Sequence, residues 1–327
     1  MSLTLTVRSE SWPIAGRFTI ARGSRTEARV VVAELSDGTH TGRGECVPYA
    51  RYGETVEGVE AAISAMAEMI GAGLTRLALQ GMMPPGAARN ALDCAFWDLE
   101  ARQTGRSVAD LAGLPAPGPA VTAYTISLGT PEEMAAKARE ACRRPLLKIK
   151  LGAEGDPARI KAVSAAAPDC ALIVDANEGW TEETLGENLA ACRAAGVQLV
   201  EQPLPAAGDH TLEGIDSPIP LCADESVHTR EGLPALRARY AAVNIKLDKT
   251  GGLTEALALA DEADRLGFSI MIGCMVGTSL AMAPAFLLAS RARFVDLDGP
   301  LLLARDRPGG LTYDDRLAYP PGRDFWG

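Results

Sequence analysis

The chain has 327 residues, 47% of them hydrophobic, which is enough for one large domain or two domains of ordinary size. Its net charge is -10 at pH 7, and the sequence contains no basic block. This balance argues against nucleic acid or an anionic membrane as the main partner, because both bind concentrated Lys and Arg.

The N-terminal residues, MSLTLTVRSESWPIAG, lack the long apolar segment of a signal peptide. The sequence contains no uninterrupted run of about 18 apolar residues that could span a bilayer. The seven cysteines are scattered and never form a CxxC motif. This pattern indicates that the cysteines are reduced thiols in a cytoplasmic protein, and that they form neither disulfides nor a zinc site.

The first hundred or so residues predict an α+β capping domain, residues 1–115. The segment ARVVVAELSDGTHTGRGECVP is typical of two strands joined by a turn at Asp37-Gly38. A helical stretch follows near residues 54–70. A longer helix is predicted in GAARNALDCAFWDLEARQTG, which ends at Gly105 and shows one apolar face: Ala88, Leu92, Ala95 and Leu99. The Pro/Gly-rich stretch 113–120 is the predicted boundary.

From residue 121 onward, short apolar runs alternate with Ala-rich helical segments. The eight runs are VTAYTISL, LLKIKL, CALIVDA, VQLVEQP, IPLCADE, AAVNIKL, FSIMIGC and ARFVDLD. Eight strands alternating with helices predict a (β/α) barrel over residues 116–300, with its active site at the strand ends. The remaining residues, 301–327, show no helical period and are predicted to pack back on the capping domain.

Five of the predicted strands end in charged or amide side chains, namely Lys148 and Lys150, Asp175 and Asn177, Glu201, Asp224 and Glu225, and Lys246. Taken singly, Asp175 or Asp224 could cap the helix that follows it. The lysines of the second strand could protect a sheet edge, but a closed barrel has no edge strands. Glu201 precedes Gln-Pro, and the proline disfavours the start of a helix there. Glu201 is therefore a poor candidate for a helix cap.

Taken together, these strand ends predict a metal site. Asp175, Glu201 and Asp224 follow three consecutive strands, so their carboxylates should converge on one side of the barrel mouth. Three carboxylates so close would repel one another unless a cation held them. Oxygen-only ligation suits Mg²⁺ best among common ions, and Mn²⁺ can substitute for it.

The lysines predict proton transfer. Lys148 and Lys150 lie on the second predicted strand and Lys246 on the sixth, which are opposite one another in an eight-stranded ring. A substrate held on the metal would have an amine on each side, which suits removal of a proton α to a carboxylate and its return on either face. Crowding by the other cations, including Lys249, is expected to lower the pKa of the basic lysine.

The motifs KIK, DANEGW, EQP, ADES and NIKLDKTGG closely resemble the enolase superfamily in its muconate-lactonising branch. The resemblance covers essentially the entire chain and implies a modified (β/α)7β barrel with an N-terminal capping domain. It implies that Asp175, Glu201 and Asp224 bind Mg²⁺, and that Lys150 and Lys246 exchange protons with a metal-stabilised enolate. It implies that Lys148 lies near the substrate carboxylate and the metal, as a substrate-binding residue, and that Asn177 orients the site. Glu225 and Lys249 are expected to support the site together with Asn177.

The eighth predicted strand indicates the substrate. FVDLDGP places Asp296 and Asp298 on one face, across the barrel from the metal. An isolated DxD is more often a strand end with loop acids. In this family the pair resembles the mark of dipeptide epimerases, whose acids bind the substrate's free α-amino group.

The segment FTIARGSRTEARVVV resembles the specificity loop that covers the site. In L-Ala-D/L-Glu epimerases, to which the chain is most similar, an arginine matching Arg22 pairs with the glutamate side chain. Arg17 and Arg25 are competing candidates for this role. Thr125 matches a threonine that contacts the substrate.

One departure concerns the seventh strand, where VGTS follows Met275 and many superfamily members carry a glutamate. This departure leaves the contacts of Gly277 and Thr278 open.

The sequence therefore predicts a Mg²⁺-dependent isomerase that epimerises the C-terminal residue of L-Ala-D/L-Glu and related dipeptides, as in murein peptide recycling. The expected partner is the small dipeptide, and a homo-oligomer is left open. Three alternatives remain at this point. They are a cycloisomerase or o-succinylbenzoate synthase with the same metal and lysines, a Schiff-base aldolase, and a barrel without catalytic activity.

Overall fold

The structure, a computed structural model, describes residues 2–327. A three-stranded antiparallel sheet in the order β1-β2-β3 begins the chain, formed by β1 (Thr4–Ile20), β2 (Gly23–Ser36) and β3 (Thr41–Cys46). The β2–β3 turn forms where Asp37-Gly38 predicts it. Its Asp37 Oδ1 accepts hydrogen bonds from the backbone N–H groups of Thr39 and His40, which stabilises the reversal of the chain.

Five helices follow this sheet: α1 (Val56–Ser64), α2 (Ala67–Gly71), α3 (Arg76–Met82), α4 (Ala87–Thr104) and α5 (Val108–Ala112). The α4 helix ends at Gly105, as predicted, in a left-handed conformation with φ 68°. It packs so closely on β3 that a Cβ at Gly42 would lie 2.2 Å from Ala95 O, and one at Gly44 would lie 2.1 Å from Ala91 O. Only glycine at these two positions permits this contact.

Eight parallel strands form the second sheet, and they coincide with the eight predicted apolar runs. They are β4 (Tyr124–Ile126), β5 (Leu146–Lys150), β6 (Ala171–Asp175), β7 (Leu199–Glu201), β8 (Leu221–Ala223), β9 (Ala242–Ile245), β10 (Ser269–Gly273) and β11 (Phe294–Asp296). Each strand pairs with the next along the chain, and a parallel bridge between Thr122 and Val295 joins the two ends of the sheet. The predicted barrel with an N-terminal capping domain is therefore confirmed.

The connections between barrel strands contain α6 (Pro131–Glu140), α7 (Asp156–Ala166), α8 (Glu182–Ala194), α9 (Leu233–Leu236), α10 (Leu247–Thr250), α11 (Leu253–Leu266) and α12 (Ser279–Phe286), and α13 (Gly299–Leu302) follows the last strand. The connection from β7 to β8 contains a short 3₁₀ helix, Asp209–Leu212, in place of an α-helix. Thr130 and Glu133 form a capping box at the start of α6, which fixes where that helix begins.

The interior of the barrel is filled by an apolar layer with one residue from each strand segment: Ala123, Leu146, Ile173, Leu199, Cys222, Ala242, Met271 and Phe294. Because strand side chains alternate between faces, the residues two and four positions later point into the same interior. Lys148 and Lys150 follow Leu146 in this way. The apolar layer thus closes the base of the barrel below a polar mouth.

The C-terminal residues contact both parts of the chain. A hairpin of β12 (Thr312–Tyr313) and β13 (Ala318–Tyr319) pairs with Ala120 at the start of the barrel. Arg307 forms ion pairs with Glu10 at 2.5 Å and with Glu45 at 2.8 Å in the capping domain. The proposed boundary between residues 300 and 301 falls inside α13.

No helix within residues 2–327 is long and apolar enough to cross a membrane. All seven cysteines are free thiols.

The close contact between β3 and α4 predicts that Gly42→Ala destabilises the protein by about 3 kcal/mol, because the new methyl group meets backbone atoms that cannot rotate away. Urea unfolding would measure this change. The matched control is Gly186→Ala in α8, where nothing lies within 4 Å of an added Cβ. That change should raise stability by about 0.5 kcal/mol through helix propensity. Equal unfolding midpoints for the two variants would contradict the prediction.

Candidate active site

Three carboxylates meet at the mouth of the barrel. Asp175 and Glu201 are the last residues of β6 and β7, and Asp224 directly follows β8. All three are buried, and one oxygen from each lies within 4.8 Å of the others. Consecutive parallel strands bring the three side chains together because their carboxyl ends lie side by side.

Two amide side chains hold these carboxylates in place, and sequence reasoning missed both roles. Gln202 Oε1 accepts a hydrogen bond from Asp224 N at 2.9 Å, and Asn244 Nδ2 donates one to Glu201 Oε1 at 2.7 Å. Gln202 has a φ of 35°, an uncommon value for a residue other than glycine. The signal for Asn244 was its place two residues before Lys246, on the inward face of the same strand.

Lysine amines surround the three carboxylates. Lys150 Nζ donates to Asp175 Oδ2 at 2.5 Å, and Lys246 Nζ donates to Asp224 Oδ2 at 2.6 Å from the other side. Lys249 donates to Asp224 Oδ1 at 2.6 Å and to the backbone oxygen of the same residue. The two proposed bases therefore stand at opposite ends of the carboxylate cluster.

Lys148 lies at the centre of the mouth. Its Nζ donates to Asp296 Oδ2 at 2.7 Å and lies 3.2 Å from Asp175 Oδ2. It also approaches Glu201 Oε2 at 2.6 Å, although this ion pair lacks hydrogen-bond geometry. Lys148 thus links the carboxylate cluster to the acid on β11.

The pKa values of Lys148 and Lys246 are raised, whereas crowding by other cations was expected to lower the pKa of the basic lysine. Burial alone would lower the pKa of Lys246, but Asp224 and Glu201 outweigh it and raise that pKa well above the usual value. Burial of Lys148 is outweighed in the same way by its own carboxylate neighbours, which raise its pKa. Lys249, by contrast, has a lowered pKa, chiefly through burial. For Lys148 and Lys246, the attraction of the neighbouring carboxylates therefore outweighs the expected effect of cationic crowding.

The donor set fits a hard divalent cation. All three candidate ligand atoms are carboxylate oxygens, the type that Mg²⁺ prefers. Glu201 Oε2 is buried and accepts no hydrogen bond, and its one close neighbour among the lysines is the Lys148 ammonium at 2.6 Å, so this oxygen can still accept a ligand bond. Burial and the neighbouring Asp175 raise the pKa of Glu201 to about 7, which shows how costly its charge is without an added cation.

The two acids at the end of β11 occupy the opposite wall. Asp298 Oδ2 accepts a hydrogen bond from Thr125 N at 2.7 Å, which brings the predicted threonine to the same corner. Burial, together with the charge of Asp296, raises the pKa of Asp298 to about 7. Asp296 Oδ1 is buried and has no hydrogen-bond partner within the described residues. This corner can therefore accept a further donor.

The capping domain covers the mouth and encloses a cavity of about 440 Å³. Lys150 and Lys246 line its floor, while Tyr49 and Tyr52 line its wall. Tyr52 packs edge-on against His228 with ring centroids 4.7 Å apart. The segment PYARYGE resembles the murein-recycling members of the family, but the sequence assigned no role to its two tyrosines, since only the tertiary fold brings them over the barrel.

Two of the predicted supporting residues connect this cover to the barrel. Asn177 N donates to Asp175 Oδ1 at 2.9 Å, and the residue has a φ of 47°. Glu225 is buried and forms an ion pair with Arg22 at 2.7 Å. Arg22 also donates to the backbone oxygen of Asn177 at 2.8 Å.

The three candidate arginines lie in different places. Arg22 and Arg25 both line the cavity over the barrel mouth. Arg17 lines a neighbouring cavity of about 600 Å³ instead. The geometry therefore brings two of the three arginines to the site.

The contacts of Gly277 and Thr278, which the sequence left open, are with the capping domain. Thr278 N and Oγ1 donate to the two carboxylate oxygens of Glu45, and a Cβ at Gly277 would lie 3.1 Å from the same carboxylate. At this departure from the expected pattern, the chain makes a contact between barrel and cap. The neighbouring Met275 and Val276 line the cavity.

Sequence comparison agrees with this geometry. Residues 2–113 match the family described as mandelate racemase/muconate lactonizing enzyme, N-terminal domain, and residues 133–310 match the enolase C-terminal domain-like family. The chain belongs to the enolase superfamily.

Among the relatives of this superfamily member, an L-Ala-D/L-Glu epimerase from Escherichia coli K12 is 52% identical over 95% of this chain and 97% of its own length. An N-acetyl-D-glutamate racemase from a Pseudoalteromonas species is 48% identical over 91% of this chain and 95% of its own.

Among solved structures, an enolase family member from Agrobacterium tumefaciens is 56% identical, with a TM-score of 0.98 over 99% of this chain and all of its own. It is described as having homology to dipeptide epimerases, with bound sodium and L-Ala-L-Glu and an ordered loop.

The segment that carries Lys246 is also tied to the cap by a buried acid. Asp248 Oδ1 accepts hydrogen bonds from Val47 N at 3.0 Å and from Asn90 Nδ2 at 2.8 Å. Burial raises the pKa of Asp248 to about 7 from its usual 3.8. At pH values between 3.8 and about 7, Asp248 holds a proton in the folded chain that it has released in the unfolded chain. The contribution of this group to stability therefore falls as the pH rises.

Asp248→Asn, which cannot ionise, should therefore gain stability relative to the native chain as the pH rises. We expect a relative gain of about 3 kcal/mol between pH 5 and pH 8, measured by urea unfolding at both values. Asp169→Asn, at an exposed aspartate, is the control and should show no such difference. A pH-independent effect of Asp248→Asn would mean that the buried carboxyl does not titrate in this range.

Proposed function

We propose that this superfamily member is a dipeptide epimerase, an isomerase that inverts the C-terminal residue of L-Ala-D/L-Glu by reversible 1,1-proton transfer. The observation that carries the proposal is the pair Lys150 and Lys246, whose amines flank one carboxylate cluster from opposite strands. The E. coli relative supports the choice of dipeptide. Murein peptide recycling is the expected setting.

Two amines on opposite sides of one substrate carbon can remove a proton from one face and return it to the other. Resemblance to the family assigns Lys150 to the (R) centre and Lys246 to the (S) centre. Each lysine must be neutral to accept the proton and charged to return it, so each direction of the reaction begins with the opposite pair of protonation states. The apolar layer below and the cap above limit the access of water to the deprotonated carbon.

Asp175, Glu201 and Asp224 would hold the Mg²⁺ ion, with Mn²⁺ as a substitute. When bound, the ion supplies positive charge that binds the substrate carboxylate and stabilises the negative charge developing on it. The cluster would then no longer depend on Lys150 and Lys246 for its counter-charge, which would free both amines for proton transfer. Lys148 lies where it can contact the same substrate carboxylate.

The acids on β11 support a substrate with a free amino group. Asp296 Oδ1 has no partner within residues 2–327, and Asp298 lies beside it under Thr125. A substrate ammonium would donate to Asp296 Oδ1 and bring a second positive charge to this wall, beside that of Lys148, which already pairs with Asp296 Oδ2. A carboxylate at the metal end and an ammonium at this end fit a molecule of two residues.

The Pseudoalteromonas relative makes N-acyl-glutamate racemisation the second candidate, because that protein has a similar sequence and is an N-acetyl-D-glutamate racemase. The two activities share the metal and the lysines. The two substrates differ at the nitrogen end, since an N-acetyl group brings no positive charge to Asp296 and Asp298. The effect of these two acids on each substrate therefore distinguishes the two activities.

Single lysine variants should separate the two faces of the reaction. In D₂O, Lys246→Ala should exchange the α-proton of L-Ala-D-Glu but not of L-Ala-L-Glu, and Lys150→Ala should show the reverse selectivity. Net epimerisation should fall by at least about 1,000-fold in both, because each turnover needs both amines. Mass spectrometry would measure deuterium uptake, and optical rotation would measure epimerisation.

The matched control for the lysine experiment is Lys137→Ala, at an exposed lysine of α6, which should behave as the native enzyme. EDTA should abolish exchange and added Mg²⁺ restore it, whereas borohydride should not inactivate the enzyme. Inactivation by borohydride, with activity retained in EDTA, would favour the Schiff-base aldolase instead. Full turnover in either lysine variant would refute the assignment of bases.

Asp298→Asn should distinguish a dipeptide from an N-acyl substrate. The amide can still accept the hydrogen bond from Thr125 N, so the fold of this corner is preserved. We expect kcat/KM for L-Ala-L-Glu to fall about 100-fold through loss of a charged contact, and kcat/KM for N-acetyl-L-glutamate to change less than about threefold. If the native enzyme prefers N-acetyl-L-glutamate, the second candidate function replaces the first.

A further inference from the structure

A network of hydrogen bonds leads from the carboxylate cluster to a buried acid outside the barrel mouth. It begins at Gln202, which directly follows Glu201 in the sequence. Gln202 Oε1 accepts hydrogen bonds from Asp224 N at 2.9 Å and from Ser226 N at 3.2 Å. Its Nε2 donates to Leu204 O at 2.9 Å, an atom that can only accept. These neighbours fix the orientation of the Gln202 amide, because the reverse orientation would bring donors against donors.

The other hydrogen of Gln202 Nε2 is shared by two hydroxyl groups, Ser226 Oγ and Tyr240 Oη, each 2.9 Å away. Both hydroxyls donate in turn to Asp209 Oδ2, Ser226 at 2.5 Å and Tyr240 at 2.7 Å. The second oxygen, Asp209 Oδ1, pairs with the guanidinium of Arg239. A carboxylate paired with a guanidinium only accepts hydrogen bonds. Asp209 therefore turns both hydroxyl hydrogens towards itself and leaves their lone pairs for Gln202.

The acid at the end of this network lies outside the substrate cavity. Asp209 is buried and begins the short 3₁₀ helix between β7 and β8. Arg239 and Tyr240 lie just before β9. Within residues 2–327, the lining of the cavity over the barrel mouth includes neither these three residues nor Gln202 or Ser226. Any effect of Asp209 on the site therefore passes through the network.

The backbone at Gln202 depends on such support. Its φ of 35° lies in the left-handed region, which is unfavourable for a residue with a side chain and persists only where the surroundings hold it. Gln202 N also donates to Cys222 O of β8 at 2.9 Å. The held backbone sets how Glu201 leaves the end of β7, while the held side chain anchors Asp224 N. Gln202 thus connects two of the three candidate metal ligands.

We propose that Asp209 is a positioning residue for the metal site, although no hydrogen bond or ion pair within residues 2–327 joins it to the three candidate ligands. This inference rests on the proposed function, because it takes Asp175, Glu201 and Asp224 as the ligands. The charge of Asp209 sets the direction of the hydrogen bonds that reach Gln202, and Gln202 holds two ligands in place. Loss of an outer partner of this kind weakens metal binding about 10- to 100-fold.

Asp209→Asn conflicts with this network in both orientations of the new amide. If its NH₂ group faces the two hydroxyls, their hydrogens turn towards Gln202 Nε2 and donors meet donors. If the NH₂ group faces Arg239 instead, it meets a guanidinium, which also only donates. Both arrangements remove the fixed orientation of Gln202 without changing the size of the side chain at position 209.

The test measures binding of Mn²⁺ to the protein without substrate, by electron paramagnetic resonance of the free ion. In Asp209→Asn the Kd for Mn²⁺ should rise at least about 10-fold. Tyr240→Phe keeps the ring and removes one of the two hydroxyls, so its Kd should rise by a smaller factor of about threefold. Excess Mn²⁺ should restore α-proton exchange on L-Ala-L-Glu in Asp209→Asn, because Asp209 lies outside the substrate cavity.

The matched control is Asp98→Asn in α4. Asp98 is also buried, pairs with Arg102 at 3.0 Å and accepts hydrogen bonds from the backbone N–H groups of Arg43 and Gly327. Its partners belong to the cap and the C-terminal segment, away from the carboxylate cluster. This variant should lose stability in urea unfolding but keep its Kd for Mn²⁺ within about twofold.

The inference is overturned if Asp209→Asn binds Mn²⁺ as tightly as the native protein, or if Asp98→Asn weakens binding as strongly. Circular dichroism verifies the fold of each variant. If Asp209→Asn does not fold, Tyr240→Phe decides, and an unchanged Kd in that variant overturns the inference. Failure of the proposed function gives a different result, because a native protein that binds no Mn²⁺ refutes the metal site itself and this inference with it.

Discussion

The structure depends on one constraint, the mutual neutralisation of charges that strand alternation places inside the barrel. Above the apolar layer, four lysines and five acids are buried at inward-facing positions or next to them: Lys148, Lys150, Lys246, Lys249, Asp175, Glu201, Asp224, Asp296 and Asp298. None of these side chains could be buried alone, since an unpaired charge in a low-dielectric interior is far more costly than a paired one. The acids outnumber the amines, so the cluster is best neutralised when a cation joins it.

This arrangement gives the lysines two tasks that compete. In the protein alone they are the counter-charges of the carboxylates, which is why the pKa values of Lys148 and Lys246 are raised. As the bases of the proposed function, Lys150 and Lys246 would have to lose a proton. In that proposal a cation that takes over the carboxylates makes the two tasks compatible, which would link metal binding to proton transfer. Lys249, with a lowered pKa and three acceptors around it, has a supporting position instead.

The cap is part of the site, because its own residues close the cavity and hold barrel groups in place. Asp248 connects the Lys246 segment to Val47 and Asn90 of the cap. Glu45 accepts hydrogen bonds from Thr278, and Arg307 of the C-terminal segment pairs with the same acid at 2.8 Å. These contacts fix the position of the cap relative to both sides of the barrel mouth.

Much of this protein was determined by local sequence alone. The eight apolar runs predicted the strands, and the two-residue period within LLKIKL and FVDLDGP predicted which side chains face the barrel mouth, because alternation is a property of any strand. What only the tertiary structure decided depends on residues distant in the chain. The four hydrogen bonds that Arg22 donates need partners from residues 49, 177, 178 and 225, and the roles of Gln202 and Asn244 need strands that meet only in the closed barrel. Periodicity specifies which way a side chain points, whereas its partners, and hence its free hydrogen-bonding capacity and pKa, are set by how the whole chain packs.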